Sequence, residues 1–343
     1  KRNNFMSVFD KLNAIGSAND PTPFGTIFTG MVFANLFYWC TNQYVIQRTL
    51  SAKNLAEGQK GVLISGFFKV LVPFMMMIPG LIAFHLYGPG LSSIDQAYPK
   101  LISDVLPNYL AGFFLAVLLG AVFSSFNSLL NSAATLFCFD IYLPSRKGDV
   151  DDDTLLRIAK RASIVIALFS FLIAPLLQYA PDGLWQIIRI FTGFYNIPVI
   201  VLVIVGLFTK RVPALGAKVV IISHIILYGL FQFVFNDVLQ IHFLHLYGIL
   251  FVLECAMMLL IGYFKPLSNP WRYPKNAVVS LAPWKFLFPV SINLFSAIIF
   301  LYIIFSPIGL VGGLSNMFWV LVVSLLFVNV SIWFVKTPKM LTS

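Results

Sequence analysis

The chain has 343 residues, of which 59% are hydrophobic and only 10% charged. Soluble domains carry roughly a quarter charged residues, so a soluble enzyme is excluded. Several uncharged apolar runs of spanning length indicate an all-α integral membrane protein rather than a barrel of short alternating strands. The formal net charge of +10 does not point to nucleic acid, because the cations sit in short loops between apolar runs, where they act as topology signals.

In chain order, nine apolar segments predict spans at 26–46, 60–86, 109–138, 158–178, 186–208, 215–235, 241–263, 285–306 and 315–335. Each reaches the ~20 residues needed to cross a ~30 Å hydrocarbon core. Alternating sides put residues 1–25 and the loops 87–108, 179–185, 236–240 and 307–314 together with four cations, Lys1, Arg2, Lys11 and Lys100, and seventeen cations on the other side. The richer side is cytoplasmic by the positive-inside rule. Residues 1–25 then form an extracellular loop, and 264–284, with Pro266, Pro270, Pro274 and Pro283, a cytoplasmic linker at the interface. Asp149, Asp151, Asp152 and Asp153 read as a solvated cluster beside Arg146 and Lys147. The three cysteines, Cys40, Cys138 and Cys255, lie in or beside apolar segments and are odd in number, so no disulfide framework is expected. The chain starts at Lys1 with no basic n-region, and we expect a piece of a longer protein.

Polar residues inside the spans carry the functional signal. Asn35, Tyr38, Trp39 and Asn42 recur at i, i+3, i+4 and i+7 and share one predicted helical face. Their polar groups need partners in hydrocarbon, supplied by a helix contact or by a solute pocket in which Asn exchanges hydrogen bonds and rings stack. Lys69 lies nine residues past Lys60, about 13 Å deep at helical rise, and is read as facing a cavity rather than a structural ion pair. In the third span, Ala121, Ser124, Ser125, Asn127 and Ser128 suit either close helix approach or the hydroxyl and carbonyl ligands of a hard alkali cation. Thr192, Gly193, Asn196 and Pro198 predict a bent or broken fifth span, a feature transporters place near binding sites. Arg189, a few residues into that span, either snorkels outward or faces a pocket. Glu254 is read as a protonated carboxyl against a neighbour, and His224 as a packing histidine. Neither HExxH, GxSxG nor a Cys/His metal spacing occurs in the sequence, so no catalytic residue is predicted.

The run ANLFYWCTNQYVIQRTLSAKNLAEGQKG (34–61), followed by Lys69 and Pro73 and then GAVFSSFNSLLNSAATLFCFDIY (120–142), resembles the solute:sodium symporter (sodium/glucose cotransporter) family. The resemblance runs from about residue 20 to 215. It implies a leucine-transporter-type core, two five-helix repeats of inverted topology with solute and sodium near the midplane. Residues 26–208 would be the second repeat, 209–343 peripheral helices, and the first repeat would be missing. The resemblance implies solute contacts from Asn35, Tyr38, Trp39 and Lys69, and sodium ligation by the Ala121 carbonyl and the Ser124 and Ser125 hydroxyls. Asn127 and Ser128 stand where relatives with a second sodium carry two serines, so the Asn weakens the case for a second ion. Arg189 stands where sugar transporters of the family carry Gln. The implied function is sodium-coupled symport of a sugar or sugar derivative by alternating access. Arg189 together with Lys69 makes a sugar acid or other organic anion the alternative, and a transporter-like sensor is a third reading. The expected partners are the solute and the lipid bilayer, with no nucleic acid and no obligatory protein.

Overall fold

The computed structural model describes residues 12–335, apart from 18, 19, 21, 92, 147, 180–183, 236, 237, 239, 240 and 272–278. Expectations for Lys1, Arg2, Lys11, Lys147, Arg272, Pro274, Lys275, Lys336 and Lys339, and for most of the loops 179–185 and 236–240, lie outside the described residues. Among the described residues all regular structure is helical. Two short helices come first, α1 (Met31–Cys40) and α2 (Gln43–Leu50). They are followed by α3 (Leu55–Tyr87), α4 (Ala97–Val105), α5 (Asn108–Leu136), α6 (Asp152–Ile173) and α7 (Leu184–Phe208). The last four are α8 (Ala214–Phe233), α9 (Phe243–Phe264), α10 (Leu287–Ile304) and α11 (Asn316–Ser331). Eight of them, α3 and α5 to α11, are long and apolar enough to cross a membrane, with α11 counted through the turn that extends it to Phe334.

The predicted first span is not one helix. Thr41 closes α1 by donating its hydroxyl to the Phe37 carbonyl at 2.9 Å. Asn42 then adopts an extended backbone (φ −70°, ψ 115°), and its side-chain oxygen accepts the Tyr44 N–H at 3.2 Å. That is N-cap geometry, which starts a new helix instead of continuing the old one. Asn42 therefore does not share a face with Asn35, Tyr38 and Trp39. The fifth span, expected to be bent or broken, is not broken: Thr192, Gly193, Asn196 and Pro198 all lie within the continuous α7. A proline removes one helical hydrogen bond, and neighbours in a membrane bundle can satisfy the freed backbone group.

The buried centre lies between α7, α8, α9 and the short α1. Ile197 and Val201 of α7, Val220 and Tyr228 of α8, and Tyr247 and Leu250 of α9 are almost fully enclosed. Phe33 of α1 joins them by stacking on Phe251 at a centroid distance of 3.7 Å. In the most apolar stretches, α7 and α9 bury 39% and 33% of their residues, whereas α3 and α5 bury none. The charge-rich side is tied by backbone contacts. The Leu267 and Trp271 N–H groups donate to the Arg211 and Lys210 carbonyls at 2.8 Å each. Farther along the same linker, Leu55 N–H donates to the Ser280 carbonyl at 3.2 Å and Trp284 N–H to the Gln59 side chain at 2.8 Å. Asp151 caps α6 through the Thr154 N–H at 3.1 Å. Hydrogen bonds from the Thr154 side chain and backbone hold its carboxyl below the usual carboxylate range.

Candidate functional site

Helix α1 presents two faces of different character. Phe33, Ala34 and Phe37 pack inward on the α7–α9 centre, Phe37 meeting Tyr195 edge-on at 5.6 Å. The opposite face carries Asn35, Tyr38 and Trp39. The Asn35 amide donates to the Met31 carbonyl at 2.9 Å, which uses one of its two N–H groups and none of its acceptor capacity. Tyr38 and Trp39 are 38% and 37% exposed, and their rings meet edge-to-face at 5.3 Å. Tyr44 of α2 lies 6.5 Å from the Tyr38 ring across the break. Three of the four residues predicted on this face are thus together.

Close backbone approach holds α1 in this orientation. Gly30 abuts the Leu244 carbonyl and Tyr247 of α9, and Gly248 of α9 abuts the Thr29 backbone. The Thr29 hydroxyl is 2.9 Å from His245 Nδ1. None of these contacts was anticipated from the sequence; the small residues at 30 and 248 were the available signal, because only a missing side chain permits such approach.

Lys69 is exposed on α3 and makes no hydrogen bond or ion pair among the described residues. Arg189 is partly buried on α7, where its Nη1 donates to the Thr22 hydroxyl at 2.8 Å and its guanidinium lies 5.3 Å from the Phe243 ring. Helix α7 packs against α1, α8 and α9, whereas α3 packs chiefly against α2, α4 and α10. The two cations are therefore not brought together on one wall.

Along α5, Ala121, Ser124 and Ser125 are exposed. Their spacing puts the Ala121 carbonyl one turn before the Ser125 hydroxyl. A hard cation prefers neutral or anionic oxygen, and this stripe offers both carbonyl and hydroxyl oxygens. Ser128 is already engaged, donating to the Ser124 carbonyl at 2.9 Å and accepting from Arg48 of α2. Arg48, Asn127, Ser128 and Asn131 line a cavity of about 410 Å³ together with Gln47 and Ser51.

Glu254 and His224, read separately in the sequence, form one fully buried pair with Nδ1 2.6 Å from Oε1. They lie 30 residues apart on α9 and α8, and a single sequence holds no signal that would pair them.

Eight long apolar helices and a broken first helix bearing polar and aromatic residues define a multi-pass α-helical membrane protein of the transporter class. Residues 11–226 match the sodium:solute symporter family, and the chain belongs to that family. It is 42% identical to the uncharacterized symporter YidK of Escherichia coli (strain K12), over 90% of this chain and 52% of that protein. It is 34% identical to the sodium/glucose cotransporter of Vibrio parahaemolyticus, over 57% of this chain and 39% of the relative. With sodium/myo-inositol cotransporter 2 of Homo sapiens the identity is 32%, over 62% and 34% of the two chains. The chain thus spans about half the length, or less, of these relatives.

Proposed function

We propose that the transporter containing this chain couples sodium entry to the uptake of a neutral sugar or sugar derivative. The observation that carries this reading is the Ala121, Ser124 and Ser125 oxygen stripe on α5, in a chain of the sodium:solute symporter family. Relatives named for glucose and myo-inositol support a polyhydroxylated solute. Residues 26–208 are assigned to the second repeat of an inverted-repeat core, 1–25 to an extracellular loop, and 209–343 to peripheral helices. The broken α1–α2 pair agrees with the discontinuous helices that line transporter sites.

In this assignment Asn35 donates to and accepts from solute hydroxyls, Tyr38 and Trp39 cover the ring, and Lys69 contacts it from α3. The Ala121 carbonyl and the Ser124 and Ser125 hydroxyls ligate one sodium. A guanidinium on Ser128 is a poor neighbour for a second cation at Asn127 and Ser128, which favours a single ion. Coupling is linkage: sodium stabilises the form with an ordered solute site, and solute binding then permits closure.

The test is uptake by the full-length transporter of labelled neutral sugars and sugar acids, with and without sodium. Sodium-stimulated uptake of a neutral sugar is expected, and sodium-independent uptake throughout would remove the reading. In Ser125→Ala the helix stays intact and one oxygen ligand is lost. Half-maximal uptake should then need several-fold more sodium; an unchanged requirement would return the stripe to helix packing.

The sugar-acid alternative requires Arg189 and Lys69 on one pocket, whereas Arg189 contacts Thr22 and Phe243 and its helix α7 packs against different helices from α3. Arg189→Gln is therefore expected to leave the ratio of acidic to neutral uptake unchanged. A marked fall in that ratio would revive the anionic solute.

A further inference from the structure

Helix α7 is held by its backbone, through three side chains that reach carbonyls within one short stretch, Arg189 to Gly193. Tyr247 of α9 donates to the Arg189 carbonyl at 2.6 Å, and Tyr228 of α8 donates to the Ile190 carbonyl at 2.9 Å. His224 of α8 places Nε2 3.0 Å from the Gly193 carbonyl. Carbonyl oxygens have two lone pairs, so each can accept a side chain in addition to its helical partner. Behind His224 stands Glu254, with both side chains fully buried.

Counting protons on this pair fixes its chemistry. A carbonyl only accepts, so Nε2 must carry a hydrogen. Nδ1 and Glu254 Oε1 are 2.6 Å apart, which requires a proton between them, since a ring lone pair facing a carboxylate would repel. Two arrangements satisfy both contacts: neutral His224 with protonated Glu254, or imidazolium with carboxylate. The other carboxyl oxygen decides between them, because Oε2 is buried without a hydrogen-bond partner among the described residues. A bare anionic oxygen in an apolar interior is far more costly than a bare carbonyl-like oxygen. Other ionisable groups nearby do not alter this balance. Tyr228, stacked on the His224 ring at 5.5 Å, and Tyr247 use their hydroxyls on α7. Cys255 adjoins Glu254 in sequence, and Arg189 extends its guanidinium to Thr22 and Phe243.

We propose that Glu254 holds a proton and donates it in a hydrogen bond to neutral His224, and that the pair acts as an uncharged strap positioning the Arg189–Gly193 turn of α7. The strap makes α7 one body with α8 and α9. Its bearing on transport rests on the assignment of α7 to the transport core, whereas its protonation state does not.

The test uses the full-length transporter. Glu254→Gln keeps a donor, since the amide N–H replaces the carboxyl O–H, and should melt close to the wild type, whereas Glu254→Ala should melt clearly lower. The infrared difference between wild type and Glu254→Gln should show loss of a protonated-carboxyl C=O band. The His224 ring nitrogens in the wild type should show the neutral Nε2–H form by nitrogen-15 NMR. Uptake by Glu254→Gln should keep the wild-type pH profile. Carboxylate bands in place of the C=O band, an imidazolium signal, a shifted pH profile, or Glu254→Gln as unstable as Glu254→Ala would each overturn the proposal. If the wild type lacks sodium-dependent uptake, the symporter reading fails, while the infrared, NMR and melting results still decide the strap.

Discussion

Gly30→Ala is expected to abolish sodium-dependent uptake and to lower the melting temperature of the full-length transporter. A Cβ at position 30 would run into the Leu244 carbonyl and lie 2.7 Å from the Tyr247 Cβ. A main-chain carbonyl within a helix cannot swing aside as a flexible side-chain tip can. Helix α1 would instead have to lift off α9, giving up the Phe33–Phe251 stack and the Thr29–His245 contact. Ordinary core overpacking costs about 1–3 kcal/mol, and a collision with backbone belongs at the upper end or beyond. Asn35, Tyr38 and Trp39 ride on α1, so the proposed solute face would move with it. Gly61→Ala in α3 is the control, since a Cβ there meets nothing within 4 Å. If Gly30→Ala transports and melts like Gly61→Ala, the close approach of α1 and α9 does not position the proposed solute face.

The sequence made the spans legible because hydropathy and length alone decide them. Eight of the nine predicted segments are long helices, since an uncharged run of ~20 residues in a bilayer has few options besides a helix. The ninth failed for a local reason. The i, i+3, i+4, i+7 pattern from Asn35 to Asn42 was read as one face, yet Asn is also among the strongest N-cap residues. Thr41-Asn42 ahead of the more polar stretch Gln43–Leu50 was the overlooked stop-and-start signal. Pro198 misled in the opposite direction. Its missing N–H predicted a bend or a break, but the helix runs on through a buried Pro198 and is the most enclosed of the long ones, so packing around the proline outweighs one lost hydrogen bond.

The candidate site was legible only where neighbours in sequence are neighbours in space. Asn35, Tyr38 and Trp39 lie within two helical turns, and so do Ala121, Ser124 and Ser125, so spacing was enough to group them. Arg189 and Lys69 are 120 positions apart, and charge alone suggested a shared pocket that their helices do not form. Glu254 and His224 show the reverse. Glu254 reads as a protonated carboxyl and His224 as a packing histidine, each with an unnamed neighbour, but they are each other's partner and the carbonyl that His224 reaches belongs to a third helix.

Gly193→Ala should be the most damaging single methyl addition within α7. A Cβ there would stand 2.5 Å from the Tyr247 hydroxyl and 2.6 Å from that of Tyr228. Both hydroxyls are committed to the Arg189 and Ile190 carbonyls, so neither can retreat without giving up a hydrogen bond. Overpacking of ~1–3 kcal/mol plus ~1 kcal/mol for a lost bond gives roughly 2–4 kcal/mol. The cause can be separated from general damage by a cycle. Tyr228→Phe combined with Tyr247→Phe removes the two obstructing oxygens, so Gly193→Ala added to that background should lower the melting temperature less than it does in the wild type. Contact with the Tyr228 ring carbon at 2.7 Å keeps the relief partial. Residues in contact are expected to couple in this way, whereas independent sites add. An equal drop in both backgrounds would mean that the tyrosine hydroxyls do not enforce glycine at 193, and the enclosed turn of α7 would need another explanation.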